Sequence, residues 1–128
     1  MRVLLDTHIV LGILRRTLSV DHPKLATHLS DPSTQSFVSV ASLWEIAIKT
    51  RLGKLDPGLP LSDLDGYLRA IDLTPIPIGS DHVVAAVEPE PATRDPFDRL
   101  LLAVCQVENL RLVTVDRALI DHRLALKV

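Results

Sequence analysis

The chain has 128 residues, a formal net charge of -2, 47% hydrophobic residues and 23% charged residues, with a mean hydropathy of +0.25. A chain of that length buries about two thirds of its surface in one fold, and the composition excludes a disordered tail or a low-complexity linker. With four aromatic residues (Phe37, Trp44, Tyr67 and Phe97) and a pI of about 6.2, neither a basic field nor a stacking platform advertises nucleic acid, so any such role must come from a local site.

In chain order, residues 2–5 form an apolar run that predicts a strand ending at Asp6, and residues 8–16 carry a helical pattern with a basic end at Arg15 and Arg16. Residues 21–29 predict a second short helix. Asp31-Pro32-Ser33 then turns the chain into a β-branched and aromatic strand over 36–40. Residues 42–52 predict a helix opened by the capping box Ser42-x-x-Glu45 and stopped by Gly53, with loop over 53–60. Ser62-x-x-Asp65 opens an amphipathic helix through Leu64, Leu68 and Ile71, and residues 73–78, interrupted by Pro75 and Pro77, predict an edge strand. A short helix over 80–87 precedes the proline-rich surface loop Glu88-Pro89-Glu90-Pro91. Asp95-Pro96 supplies an N-cap and a first-turn proline for a helix running to about Glu108, apolar around nearly its whole circumference and therefore expected to be sandwiched. Residues 111–115 predict a buried strand, 117–121 a short helix and 124–128 a final edge strand. Apolar strands without clean alternation, each followed by a helix, predict a three-layer α/β/α sandwich about a central, mainly parallel sheet, in a single domain over residues 1–128.

The single cysteine, Cys105, excludes an intramolecular disulfide and a cysteine zinc site, and its apolar setting in residues 100–105 predicts a buried, reduced thiol and a cytoplasmic protein. No stretch reaches the ~18 apolar residues of a membrane span. Asp6 and His8 interrupt the N-terminal apolar residues where a signal peptide would be uniform, so the chain is expected to be folded from residue 1.

Four acids stand out by position: Asp6 after the first strand, Glu45 in the first turn of the helix after the second, Asp98 in the first turn of the long helix, and Asp116 after Leu112-Val113-Thr114-Val115. Each has an ordinary structural explanation. Asp6 and Asp116 can cap helices, Glu45 completes the capping box and sits four before Lys49, and Asp98 suits the positive end of its helix. Their joint placement points further, because in an open parallel sheet the C-terminal strand ends and the following helix N-termini line one crevice, the usual ligand site. Unit charges about 5 Å apart cost about 3 kcal/mol per pair at an effective dielectric near 20. Capping bonds worth about 1 kcal/mol do not offset several such pairs. A divalent cation does, and oxygen-only ligands without Cys or a convergent His pair favour Mg²⁺ or Mn²⁺. Such a site implies phosphate chemistry, with hydrolysis of a phosphodiester as the natural reading.

Competing patterns fail on detail. Asp6-Thr7-His8 resembles the start of the haloacid-dehalogenase phosphatases, but His8 replaces their second aspartate. The Asp-His pairs 21–22, 81–82 and 121–122 run in the wrong order for an HD phosphohydrolase, and no glycine-rich phosphate loop or G-x-S-x-G elbow is present. Ser39, Ser42 and His8 have no spacing that supports a triad. Four segments in order, Val3-Leu4-Leu5-Asp6-Thr7-His8, Ser42-Leu43-Trp44-Glu45-Ile46-Ala47-Ile48-Lys49, Arg94-Asp95-Pro96-Phe97-Asp98-Arg99-Leu100-Leu101 and Leu112-Val113-Thr114-Val115-Asp116, resemble the successive motifs of the PIN domain in its VapC toxin form. The resemblance covers essentially the whole chain. It implies a Mg²⁺-dependent endoribonuclease, usually a homodimer, silenced by a cognate antitoxin. Carried over by motif, Asp6 and Asp98 are the primary metal ligands, Asp116 completes the site, Glu45 helps bind metal or orient water, and Thr114 supplies a supporting hydroxyl. Thr93 departs from the pattern, since many relatives carry histidine there. Asp95 reads as the helix cap, with a reach to the metal as the alternative, and Arg94, Arg99 and Lys49 are candidates for substrate phosphates.

A metal-dependent DNA nuclease or phosphatase on the same acids is the rival enzyme reading, because metal-activated water does not need the ribose 2′-OH. A receiver-like regulatory module fits the length and class, but Glu45 stands where its phospho-acceptor aspartate belongs, and Lys127 is terminal. Trp44 is expected more readily in the core than on the surface. Leu43, Trp44 and Leu52 are the apolar segment that a protein partner would cover.

Overall fold

The computed structural model describes residues 1–128. Four short strands, β1 (Arg2–Leu5), β2 (Gln35–Ser39), β3 (Thr74–Ile76) and β4 (Arg111–Val113), form one all-parallel sheet in the order β3-β2-β1-β4. The chain moves outward from β1 to β2 to β3 and then crosses back to pair β4 with the other side of β1. Parallel crossovers keep one hand, so reversing direction along the sheet moves the connecting helices to the opposite face.

The burial follows that rule. Helices α1 (Thr7–Leu14), α2 (Leu18–Asp21), α3 (Pro23–Ser30), α4 (Val40–Arg51) and α5 (Leu64–Ala70) cover one face, where Val3, Leu5, Val38 and Val113 pack with Ile9, Val10, Leu18, Leu25, Ile46 and Leu68. After α6 (Ser80–Val84), α7 (Pro96–Glu108) covers the other face, where Leu4 and Leu112 meet Leu101, Leu102, Val104 and Cys105. Alternate residues of β1 thus enter different cores, which is why the strand reads as continuously apolar. The three-layer α/β sandwich is the architecture expected from the sequence.

Element ends differ from expectation for local reasons. Helix α1 stops at Leu14 rather than at residue 16 because Arg16 takes a left-handed φ of 59°. Arg16 N–H then donates to Ile13 O and Thr17 N–H to Gly12 O, closing a Schellman turn. The expected helix over 21–29 becomes two, since Pro23 drives His22 to φ -140° and ψ 70°, outside the helical region. Helix α4 begins at Val40, and its cap is Ser39, whose hydroxyl accepts from Ala41 N at 3.0 Å. Ser42 and Glu45 therefore lie inside the helix and form no capping box. Gly53 does end it, at φ 70°, with Gly53 N–H on Thr50 O and Lys54 N–H on Lys49 O.

Ser62 and Asp65 form no capping box either: a 3-10 turn over Leu61–Asp63 leads into α5, whose first turn has no side-chain cap. Pro75 does lie in an edge strand, paired in register with Val38. Residues 117–121 form a turn instead of a helix, and the expected last strand is a single parallel bridge between Leu112 and Ala125. Helix α7 is only partly enclosed, since Val107 is exposed. Trp44 corrects the core expectation outright. The residue is 63% exposed, as is Leu52, and its ring meets Phe97 edge-on at a centroid distance of 5.7 Å across the seam between α4 and α7. Cys105 is fully buried, as expected, and burial pushes its thiol pKa well up.

The cap reassignment is testable. Ser39→Ala should cost about 1 kcal/mol of stability, and Gly53→Ala about 1 kcal/mol through its left-handed backbone, both read by urea unfolding followed by circular dichroism.

Candidate metal centre

The C-terminal ends of β1 and β4 are neighbours at the point where strand order reverses, the position at which open α/β sheets form their crevice. Asp6 leaves β1 there. Its backbone N–H extends the ladder by donating to Val113 O at 2.9 Å, and its carboxylate accepts from Thr7 N at 2.7 Å and from the Thr114 hydroxyl at 2.6 Å. Thr114 Oγ1 in turn accepts from Asp116 N at 3.1 Å, so one hydroxyl ties the two strand-end acids together. Asp116 also caps its own turn by accepting from Ala118 N at 2.8 Å. The capping explanations of Asp6 and Asp116 thus hold, and each spends only part of a carboxylate's acceptor capacity.

Asp98 reaches the same cleft from the first turn of α7, whose start is fixed by Asp95. Asp95 Oδ1 accepts from Phe97 N at 2.8 Å and from Asp98 N at 3.2 Å, as the helix-cap expectation required. The only protein group on the Asp98 carboxylate is the Thr93 hydroxyl, at a long 3.3 Å. Glu45 is held more firmly. Oε1 accepts from the Thr7 hydroxyl at 2.7 Å and Oε2 from Lys49 Nζ at 2.7 Å. Thr7 Oγ1 also lies 3.0 Å from Ser42 Oγ. The one Thr7 proton sits on Glu45, so Ser42 completes that contact as donor.

Asp6, Glu45, Asp98 and Asp116 all line one cleft of about 320 Å³, together with Asp95 and with His8, Arg15, Lys49 and Lys54. A larger groove of about 640 Å³ beside α3 has Asp21 as its sole acidic side chain, so chemistry and not size distinguishes the acidic cleft. Thr7, Ser42 and Thr93 hydrogen-bond to Glu45, to Thr7 and to Asp98 respectively, a part that the motifs give to none of them. A hydroxyl directly after a strand-end aspartate, and another three residues before a buried glutamate, were the available signals.

Crowding shows in the electrostatics. Burial, followed by the nearby charges of Asp95, Asp6 and Asp116, pushes Asp98 up to about 7. Burial also raises Asp6, against the opposing hydrogen bonds from Thr114 and Thr7. Lys49 is raised by its hydrogen bond to Glu45.

The PIN domain family profile matches residues 3–123, nearly the whole chain. The chain belongs to the PIN-domain family. No curated relative matches it. The PIN domain is a nuclease-type fold whose members are generally divalent-metal-dependent, and the donor set of this PIN domain fits such an ion. Every candidate ligand is a carboxylate oxygen, the choice of hard cations, and the crowded Asp98 carboxylate has no ion-pair partner of its own, its one protein hydrogen bond coming from the Thr93 hydroxyl.

The tightest cluster of ligand-type atoms in this PIN domain lies elsewhere, where Asp81, His82 and Glu108 bring theirs within 4.8 Å. That cluster does not fit a metal. His82 Nδ1 accepts from Gly79 N at 2.9 Å, so Nε2 carries the proton given to Glu108 Oε1 at 2.9 Å, and neither nitrogen keeps a free lone pair.

The raised Asp98 sets a pH dependence in chelator. The folded carboxyl binds its proton more tightly than the unfolded one, so stability falls as pH rises from about 4 to about 7 and is level above that. After solvent screening of a half-buried group the loss is about 1 to 2 kcal/mol, or several degrees in Tm. Thermal melts of Asp98→Asn over the same range should lack that component.

Proposed function

We propose that this PIN domain is a Mg²⁺-dependent endoribonuclease, with Mn²⁺ as a substitute ion, acting as the toxin of a VapC-type toxin–antitoxin pair. The observation that carries the reading is the convergence of Asp6, Asp98 and Asp116, from segments far apart in sequence, on one cleft in which Asp98 is pushed up to about 7. A chain gains nothing structural from that crowding, whereas a site for a divalent cation requires it.

In this reading Asp6, Asp98 and Asp116 hold the ion, and Glu45 assists by binding it or orienting water. An ion held by these residues would supply Lewis-acid chemistry to water and countercharge to the phosphodiester oxygens. Thr114 orients Asp6 and, through the Asp116 backbone, the second strand-end acid, at 2.6 and 3.1 Å. Thr7 holds Glu45 toward the cleft. His8 and Lys54 line the cleft beside the acids, a placement suited to the phosphates of an RNA strand. The exposed apolar side chains of Trp44 and Leu52 support a protein partner over this side of the molecule, here the antitoxin. The homodimer rests on the VapC resemblance.

Asp98→Asn should keep the fold, because asparagine suits the first helical turn, and should lose metal-dependent RNA cleavage by at least about a hundredfold. Parallel assays on RNA, DNA and a phosphomonoester, with Mg²⁺ and with chelator, check the reading. RNA alone should be cut. Equal cleavage of DNA would make the protein a general nuclease, and turnover by folded Asp98→Asn at the wild-type rate would remove the metal-centre assignment. Expression of the protein alone should arrest growth, and expression with its antitoxin should restore it.

A further inference from the structure

Five carboxylates and three cationic side chains, Arg15, Lys49 and Lys54, line the acidic cleft. Only Lys49 forms an ion pair with any of the five, its Nζ lying 2.7 Å from Glu45 Oε2. Arg15 is turned aside, donating to the Asp56 carbonyl at 3.0 and 3.3 Å. The two members of the pair are unequally fixed. The Glu45 side chain is 10% exposed and is also anchored by Thr7, whereas Lys49 is 42% exposed and has no second hydrogen-bond partner. The flexible partner therefore carries the positive charge, and the rigid partner carries a carboxylate with a role in the proposed metal centre.

We propose that Lys49 is a built-in counter-cation of the metal centre: its ammonium neutralises Glu45 while the cleft holds no ion, and it competes with the incoming divalent cation for the same negative field. The inference rests on the reading of the acids as a metal site. Lys49 is then a positioning residue that sets how much metal the protein needs, and its presence limits repulsion among the acids in the metal-free fold. Metal binding and stability report the same coupling, because a ligand that displaces or repels a charge must be weakened by it to the extent that the charge stabilises the free protein. A lysine that merely staples one turn of α4 would behave differently, stabilising the metal-free and metal-bound protein alike.

The experiment measures thermal melts and Mn²⁺ titration calorimetry on wild type, Lys49→Gln and Lys49→Arg, using the full chain and Mn²⁺ alone as the probe. Lys49→Gln should melt several degrees below wild type in chelator and level with it in saturating Mn²⁺, and should bind Mn²⁺ about tenfold more tightly, the order expected for removing one positive charge near a divalent ion. Lys49→Arg should track wild type in both conditions. Folding of Lys49→Gln only in the presence of Mn²⁺ would equally support the inference. An equal drop in both conditions, failure to fold in both, or unchanged or weaker Mn²⁺ binding would overturn it while leaving the metal centre standing. A wild-type protein that neither binds Mn²⁺ nor shifts its melt would remove the metal centre itself, and the role of Lys49 with it.

Discussion

Val3, Leu4 and Leu5 pair in parallel with Arg111, Leu112 and Val113, and nearly every other feature of the molecule is arranged around that junction. It joins the first strand to the last, so it forms only when the intervening chain has folded back, a contact of high loop-closure cost. It separates the two hydrophobic cores, because residues on either side of each strand enter different layers. It also aligns two strand ends, so that Asp6 and Asp116 leave the sheet side by side. The Thr114 hydroxyl, bonded to Asp6 across 108 residues of sequence, is the side-chain counterpart of the same pairing.

The four acids were legible in the sequence because each follows a strong linear signal: an apolar run, a proline-capped helix, or a motif. Strand identity and the parallel sandwich were legible for the same reason, since burial on both faces leaves continuous apolar runs. Boundaries failed where one residue's backbone overrode the pattern, as at Arg16 and His22. The Ser42 capping box failed because two serines three residues apart, Ser39 and Ser42, offered the same cap chemistry. Only the path of the chain off β2 decides that Ser39 meets the helix start. Ser42 is instead buried against Thr7, thirty-five residues away in sequence. That contact and the surface position of Trp44 depend on how α1, α4 and α7 dock, and no local pattern encodes it.

The cleft also illustrates how a fold accommodates charges that oppose it. Asp6, Asp95 and Asp116 each satisfy backbone donors at the start of a helix or turn, so their presence is locally favourable while their proximity is not. Local capping thereby holds in place an arrangement that pairwise repulsion would otherwise disperse. The hydroxyls of Thr7, Thr93 and Thr114 hold the carboxylates while adding no countercharge, and leave the negative field available.

Trp44 is the sole tryptophan, and it stands in solvent on the seam between α4 and α7 instead of in a core. Its emission in the free protein should already be near that of a solvated indole, so unfolding changes its surroundings little. Desolvation of the ring by a macromolecule settling on that seam changes them greatly. The chain thus carries an intrinsic optical label that is nearly silent to denaturation and sensitive to occupancy of one particular face, without any dye or engineered chromophore.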